Sequence, residues 1–167
     1  ITAVEVNGTF DDCQRLVKEA LSDEELREEI NLSSANSINI GRLLPQMYYY
    51  FQNLEKPTFI VPSGNFGNLI AGLFAKKIGL PVKKFIAAVN ENSAVSEFLQ
   101  TGKLPERKTK MTMSSAMDVG KPSNWVRITD LYRGDRFSIK KDLEAVTVSE
   151  KETEETIKAV YRNYDYI

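Results

Sequence analysis

The sequence predicts an α/β fold built around a parallel sheet, and three observations lead to that prediction. Two short apolar runs, Phe59-Ile60-Val61 and Phe85 to Val89, are each followed by a turn and a helical pattern. A third run rich in β-branched residues, Val146-Thr147-Val148, precedes another helical pattern. Short apolar strands that alternate with helices are typical of a parallel sheet buried on both faces.

The elements before the first apolar run follow from local patterns. The residues from Ile1 to Val6 alternate like a strand, and Thr9 with Asp12 can form a capping box that starts a helix. Two more helical segments are predicted before the first apolar strand. They are a helix restarted by a capping box from Ser22 to Glu25 and running through Ile30, and a long helix from Asn36 to Asn53, bent near Gly41 and Pro45.

The remaining elements fill the gaps between the strands. Apolar spacing, a terminal glycine, an early proline and a capping box predict four helices. They are Asn68 to Ile78, Ala94 to Gln100, Pro122 to Tyr132, and a last helix that opens at Ser149 to Glu152 and runs to about Asn163. The stretch from Lys103 to Gly120 has no regular pattern, and we predict that it is a functional loop.

Length and composition indicate one domain or most of one. The chain has 167 residues, 42% of them apolar, and a formal net charge of -1. Without a basic stripe, the charge favours a small-molecule ligand over nucleic acid or a membrane. No apolar run reaches the roughly 20 residues of a membrane span, and no signal peptide is evident, so we expect a cytoplasmic protein. The apolar ends, Ile1 and Ile167, favour a piece of a longer chain.

The chain contains no histidine. Ser-His-Asp and Cys-His hydrolysis and His-bearing zinc sites all require an imidazole, so these chemistries are excluded for this chain. We predict no metal site. Catalysis would have to use lysine, carboxylates, hydroxyls, backbone amides or a cofactor.

The strongest functional signal is the loop Ser63-Gly64-Asn65-Phe66-Gly67-Asn68 between a predicted strand and a predicted helix. Its glycines let the backbone approach a ligand, and a helix N-terminus carries a partial positive charge. Such a loop favours a phosphate. The loop has neither the lysine of a Walker A motif nor the spacing of a dinucleotide fingerprint. Recognition would rest on backbone amides and on the side chains of Ser63, Asn65 and Asn68.

This loop and its continuation resemble the phosphate-binding loop and the following helix of the threonine synthases. The continuation includes Ala71-Gly72-Leu73 and Gly79-Leu80-Pro81-Val82. Five other segments resemble that family in the same order along the chain. They are Gly8 to Cys13, Asn36 to Ile40 with Arg42-Leu43-Leu44, Phe85 to Asn90, Ser115 to Val119, and Pro122-Ser123-Asn124-Trp125.

The resemblance implies a fold-type II enzyme dependent on pyridoxal 5'-phosphate (PLP), a three-layer α/β sandwich like the tryptophan synthase β subunit, of which this chain is an incomplete part. It implies conversion of O-phospho-L-homoserine and water to L-threonine and phosphate. The backbone of Gly64 to Asn68 would hold the cofactor phosphate. We expect residues 1–167 to be one segment of the large PLP-binding domain. Part of the smaller domain is either included in this segment or missing from it. The segment would depend on the remaining segments of the same enzyme.

The resemblance also implies a Schiff-base lysine in a motif Phe-Lys-Asp, and no such motif occurs in this chain. We therefore assign no catalytic residue here and expect the isolated chain to be inactive. Lys76, Lys77, Lys83 and Lys84 are interpreted as solvated charges.

Seven polar residues are candidates for substrate binding, because amides, hydroxyls and a guanidinium can hold a phosphate or carboxylate. They are Asn36, Ser37, Asn39, Arg42, Ser115, Asp118 and Asn124. A structural interpretation stays open for all of them: a capped helix with a surface arginine for the first four, and turn caps and backbone hydrogen bonds for the rest.

Three alternatives also remain open at this point. The chain could belong to another fold-type II enzyme, such as a threonine dehydratase or a cysteine synthase relative. It could be a stand-alone phosphate-binding module. It could be an interaction protein that uses Tyr48 to Phe51 as an aromatic patch, although these four side chains cannot all lie on one face of a helix.

Overall fold

The computed structural model describes residues 1–52 and 55–166. Its sheet consists of strands β1 (Thr58–Pro62), β2 (Lys84–Val89) and β3 (Leu143–Thr147), in the order β1-β2-β3. Both strand pairs are parallel, with Phe85 opposite Phe59 on one side and Leu143 on the other. The predicted parallel α/β fold is therefore confirmed.

Nine α-helices lie within the described residues. They are α1 (Phe10–Ser22), α2 (Glu24–Glu29), α3 (Leu43–Gln46), α4 (Tyr48–Phe51), α5 (Gly67–Lys77), α6 (Ala94–Thr101), α7 (Trp125–Leu131), α8 (Arg136–Asp142) and α9 (Glu150–Tyr164). Two 3-10 turns, Ile40–Arg42 and Ser115–Met117, complete the described elements.

The core forms between the sheet and α5. Phe85, Ala87 and Val89 alternate along β2 and are buried. The helix α5 contributes a nearly continuous buried surface of Leu69, Ile70, Ala71, Leu73 and Ala75. A helix that is apolar on most of its circumference belongs in the interior, and its burial fixes the direction of the loop that leads into it.

The prediction that both faces of the sheet are buried is wrong for the described residues. On the second face, Ile60 in β1 is 69% exposed and Val146 in β3 is 50% exposed. Both side chains lie opposite the core face because side chains alternate along a strand. The chain thus forms a sheet with one covered face, which is consistent with an incomplete three-layer sandwich.

The N-terminal region differs in part from the prediction. Thr9 and Asp12 form the predicted capping box of α1. Residues 1–6 do not form a strand: they pair with no strand of the described sheet, and all six are exposed. The second helix is capped by the side chain of Asp23, which accepts a hydrogen bond from the Leu26 N–H, and not by Ser22.

The long helix predicted from Asn36 is also wrong in its extent. Residues 36–39 form a turn, and the rest is divided into a 3-10 turn, α3 and α4. The predicted end at Asn53 lies outside the described residues. Tyr50 is buried, whereas Tyr48 and Tyr49 are 75% and 65% exposed, so the aromatic run is split between core and surface as its spacing required.

The helices predicted after β1 are present, with shifted ends, and the segment from Lys103 to Gly120 is irregular except for one 3-10 turn. The helix α8 was not predicted. Its local signal is Gly134 with a positive φ of 72° followed by Asp135, whose side chain accepts a hydrogen bond from the Phe137 N–H. None of the helices in the described ranges is long and apolar enough to cross a membrane.

Candidate functional site: a phosphate loop at the start of a buried helix

The candidate site begins where β1 ends and α5 starts. Ser63 continues the pairing of β1 by donating its backbone N–H to the Ala88 carbonyl at 2.8 Å. Phe66 then takes a left-handed conformation with φ of 61° and forms the N-cap of α5. No side chain of the described residues caps this helix end. Its first N–H groups therefore keep their partial positive charge available to an anion.

A buried anchor holds the left-handed residue in place. Phe66 is 3% exposed and packs edge-to-face against Trp125, with 6.0 Å between ring centroids. A left-handed conformation is uncommon for a bulky residue and persists when the surroundings determine it. The loop shape therefore depends on the contact between α5 and α7.

The polar side chains of the loop are bonded to protein groups. The Ser63 hydroxyl donates to the Val61 carbonyl at 2.8 Å. Asn68 accepts a hydrogen bond from the Tyr50 hydroxyl and donates to Gln46 Oε1 at 3.2 Å. Burial raises the pKa of Tyr50, so that this hydroxyl remains a donor. Anion recognition is thereby left mainly to the backbone amides.

Asn65 joins the loop to two distant segments. Its Nδ2 donates to Ser37 Oγ at 3.0 Å, while its Oδ1 accepts from the Ser123 N–H at 2.6 Å and the Ser123 hydroxyl at 2.9 Å. Asn124 is fully buried, and its Nδ2 donates to the Asn65 carbonyl at 2.9 Å and to Ser37 Oγ at 3.0 Å. Two of the predicted substrate residues, Ser37 and Asn124, are thus brought together against the loop.

The sequence-based interpretation missed Arg127. Its guanidinium donates to the Ser37 carbonyl at 2.9 Å and to the Ile38 carbonyl and Asn124 Oδ1. These bonds hold the turn after Asn36 against α7. The only local signal was a basic residue three positions after Asn124, which gives no information about a partner 90 positions away.

Two glycines of the loop allow close approach to these segments. A Cβ on Gly64 would lie 2.8 Å from Met117 Cα, and a Cβ on Gly67 would lie 3.1 Å from Ser37 Cβ. The first distance is too short for any side chain. Gly64 therefore seats the loop directly on the backbone of the irregular segment.

Three predicted substrate residues lie in or beside the turn before α3. Asn39 caps the 3-10 turn by accepting from the Gly41 N–H at 2.9 Å, and its Nδ2 donates to the Ser34 carbonyl. Arg42 is exposed and donates one N–H to the Ala35 carbonyl. Asn36 Oδ1 accepts hydrogen bonds from Gln14, Ser37 and the Ile38 N–H. Asn36 Nδ2 and most of the Arg42 donors stay uncommitted within the described chain.

The last two predicted substrate residues lie in the irregular segment. Ser115 is exposed at the start of a 3-10 turn, and no hydrogen bond of its hydroxyl is found among the described residues. Asp118 is half-buried, and its carboxylate accepts four hydrogen bonds from Asn90, Asn92 and Thr112. Among the described residues, the Ser115 hydroxyl is thus left for a ligand, whereas protein donors occupy the Asp118 carboxylate.

The lysines near α5 are involved in structural contacts. Lys76 forms an ion pair with Asp142 at 2.8 Å, Lys84 pairs with Glu144, and Lys77 lies 4.1 Å from the centre of the Tyr132 ring. Burial acts to raise the pKa of Asp142, but hydrogen bonds from Lys76 and Tyr132 outweigh it and hold the pKa below its ordinary value. These contacts account for Lys76, Lys77 and Lys84 without a catalytic role.

Comparison with known proteins agrees with the geometry. The threonine synthase of Buchnera aphidicola subsp. Acyrthosiphon pisum (strain APS) is 47% identical over 170 residues, which cover 97% of this chain. The chain is homologous to a segment of threonine synthase. No family model matches it.

Solved threonine synthases share its structure. The crystal structure of threonine synthase from Escherichia coli matches 95% of this chain with a TM-score of 0.86 and 44% identity. The PLP-bound threonine synthase from Brucella melitensis matches all of it with a TM-score of 0.82 and 30% identity. The resemblance predicted from the sequence is therefore confirmed.

The match is confined to part of each threonine synthase. The chain spans 39% of the length of the Buchnera relative and of the Escherichia coli structure, and 43% of the Brucella structure. The Brucella match covers the whole of this chain, including the loop from Ser63 to Asn68.

Proposed function

We propose that this chain is part of a PLP-dependent threonine synthase, which converts O-phospho-L-homoserine and water to L-threonine and phosphate. One observation carries the proposal: the glycine loop opens an uncapped, buried helix in a chain 47% identical to a threonine synthase. We infer that the chain is one segment of the large PLP-binding domain. A cytoplasmic location is in keeping with this biosynthetic reaction.

The loop suits the phosphate of PLP. The N–H groups at Gly64 to Asn68 supply neutral donors at the start of α5, and no Lys or Arg lies in the loop. Donors without a full charge suit a phosphate that is bound for anchorage and not transferred. Asn124 donates a hydrogen bond to the Asn65 carbonyl, and Arg127 donates one to Asn124. Because these bonds fix the loop, its donors are already arranged before the cofactor binds.

When bound, PLP supplies an electron sink for deprotonation of the substrate and departure of its phosphate. This chain supplies anchorage of the cofactor and part of the substrate site. The lysine that would hold the cofactor covalently is expected in a Phe-Lys-Asp motif, and this sequence contains no such motif. We therefore propose that the remaining segments of the enzyme contribute it.

For substrate binding, the residues with uncommitted donors are favoured. Arg42, Asn36 and Ser115 retain hydrogen-bonding groups among the described residues, whereas Ser37, Asn39 and Asn124 use theirs to hold the turn and the loop. We propose that the first three residues contact the phosphate or carboxylate of O-phospho-L-homoserine and that the second three orient them.

Arg42 tests this assignment. In the full-length enzyme, Arg42→Ala should raise KM for O-phospho-L-homoserine by roughly tenfold or more, because a charge-assisted hydrogen bond to the substrate anion is lost. The exposed Arg162 on α9 is a matched control, and Arg162→Ala should leave KM unchanged. Equal KM values for wild type and Arg42→Ala would remove Arg42 from the substrate site.

Turnover by the full-length protein tests the function itself. Purified protein with PLP should release inorganic phosphate and form threonine in equal amounts from O-phospho-L-homoserine. Threonine and O-acetylserine should not react, which separates this enzyme from threonine dehydratase and cysteine synthase relatives. Phosphate binding without turnover of any of the three compounds would favour the stand-alone binding module instead.

A further inference from the structure

Asp118 is the centre of a polar cluster that lies beside the phosphate loop but does not belong to it. Its Oδ1 accepts hydrogen bonds from Asn90 Nδ2 at 2.8 Å, Asn92 Nδ2 at 3.2 Å and Thr112 Oγ1 at 2.7 Å. Its Oδ2 accepts from the Thr112 N–H at 2.8 Å. The carboxylate is therefore occupied by protein donors on both oxygens.

The asparagines cannot easily rotate away from this carboxylate. Asn90 Oδ1 accepts from the Asn92 N–H at 3.0 Å, and Asn92 Oδ1 accepts from the Lys110 N–H at 2.8 Å. With their carbonyl groups committed, both amide nitrogens point at Asp118. Asn90 is 5% exposed and directly follows β2, so the cluster ties the irregular segment to the end of the central strand.

The residue before Asp118 is the one on which the phosphate loop rests. The 3-10 turn ends at Met117, whose backbone lies against Gly64, where a Cβ would be only 2.8 Å from Met117 Cα. The Met117 carbonyl accepts from the N–H of Val119, which is 4% exposed. Any shift of Asp118 would thus move the surface that supports Gly64.

We propose that Asp118 is a positioning residue: its carboxylate fixes the segment from Thr112 to Val119 against Gly64 and so holds the phosphate loop in its binding geometry. The ligand concerned is the phosphate of PLP, and this inference rests on the proposed function. Asp118 would act through Met117 and Gly64, because protein donors already occupy both of its carboxylate oxygens.

The first test uses Asp118→Asn in the full-length protein. The variant keeps the shape of the side chain but turns an amide donor towards the donors of Asn90 and Thr112. Amide hydrogen exchange at residues 63–68 should become faster, and the Kd values for PLP and for inorganic phosphate should rise by roughly tenfold, as expected for lost hydrogen bonds to a charged group. Glu106, an exposed carboxylate in the same irregular segment, gives the control variant Glu106→Gln, which should behave as wild type.

A double-mutant cycle tests the mechanical link. Gly64→Ala alone should weaken phosphate binding because its Cβ meets a fixed Met117 backbone. In Asp118→Asn the segment can yield, so the added effect of Gly64→Ala should be smaller than in wild type. Full additivity of the two changes in Kd would overturn the proposal. Thr112→Val, which removes one donor and keeps the charge, provides a milder variant if Asp118→Asn does not fold.

The outcomes separate this inference from the proposed function. Unchanged exchange at residues 63–68 in both Asp118→Asn and Thr112→Val would overturn the positioning role, whether or not PLP binds. Faster exchange there, in a protein whose wild type does not bind PLP, would support the positioning role and contradict the proposed cofactor.

Discussion

The junction from β1 to α5 and the junction from β3 to α9 both lead from a parallel strand into a helix, but only the second has a side-chain cap. At the second junction, Glu152 Oε2 accepts from the Ser149 N–H at 2.8 Å and from its hydroxyl at 2.6 Å. The chain thus provides its own anion there. At the first junction the corresponding donors have no such partner among the described residues, which is the condition that a phosphate site requires.

The two helices also differ in burial. Most residues of α5 face the core, whereas α9 has no buried residue. A loop on a buried helix is held on several sides, and here Asn65, Ser37 and Asn124 provide the additional bonds. A donor array held in this way loses little freedom when a ligand binds. The comparison therefore explains why the first junction is suited to binding and the second to stability.

Among the substitutions that compare the two junctions, Asn124→Ala should lower the free energy of unfolding the most. The substitution removes two hydrogen bonds to Ser37 and Asn65 and leaves the Arg127 guanidinium without one acceptor. Buried polar groups left unpaired should cost about 2 to 4 kcal/mol of unfolding free energy. Asn163→Ala, on exposed α9, should change the free energy by less than about 0.5 kcal/mol. Denaturant unfolding of both variants in the full-length protein measures the two losses of unfolding free energy. Equal losses would contradict this account.

An intermediate effect is expected from placing an alanine at one position in each of the two helices. In α5, a Cβ at Gly72 would lie 2.5 Å from Phe85 Cε1 and 2.8 Å from Tyr50 Cζ. Gly72→Ala should therefore destabilise the fold by about 1 to 3 kcal/mol despite the higher helix propensity of alanine. In α9, the exposed Thr156→Ala should stabilise by about 0.5 kcal/mol. Thermal unfolding measures both, and a stabilising Gly72→Ala would contradict the packing described for α5.

A smaller destabilisation than that of Asn124→Ala should come from removing the cap of α9. Ser149→Ala should destabilise this helix by about 1 kcal/mol, whereas no equivalent cap can be removed from α5. Hydrogen bonds from the Ser149 hydroxyl and N–H hold the pKa of Glu152 below its ordinary value. A depressed pKa means that this contribution is present above the ordinary glutamate pKa and is lost as the pH falls through the lowered value.

Hydrogen exchange in α9 measures that pH dependence. Exchange should become faster as the pH is lowered below the ordinary glutamate range, after correction for the intrinsic exchange rate. Glu152→Gln is the matched control, because glutamine can complete a capping box but does not titrate. The same pH dependence in both proteins would show that Glu152 is not responsible.

The features predicted correctly from the sequence are local ones. Two capping boxes, Thr9 with Asp12 and Ser149 with Glu152, need only four consecutive residues, and both are present. The loop from Ser63 to Asn68 was found because an apolar run, glycines and helical spacing follow one another directly. Such signals need no knowledge of distant partners.

The errors concern elements that depend on distant partners. The alternation from Ile1 to Val6 is typical of a strand, but a strand needs a paired neighbour, and these residues pair with none of the described strands. The role of Arg127 depends on Ser37, 90 positions earlier. The open face at Ile60 and Val146 depends on which helices pack against the sheet. None of these features is determined by nearby residues alone.

The most direct test of the central claim observes the loop amides while a phosphate binds. In the full-length protein labelled with 15N-glycine, inorganic phosphate or PLP should shift the amide signals of Gly64 and Gly67 at concentrations that leave Gly102 and Gly134 unchanged. That result would agree with a phosphate site at the uncapped start of α5. Saturating PLP without any shift at Gly64 and Gly67 would contradict it, because the cofactor would then be anchored elsewhere.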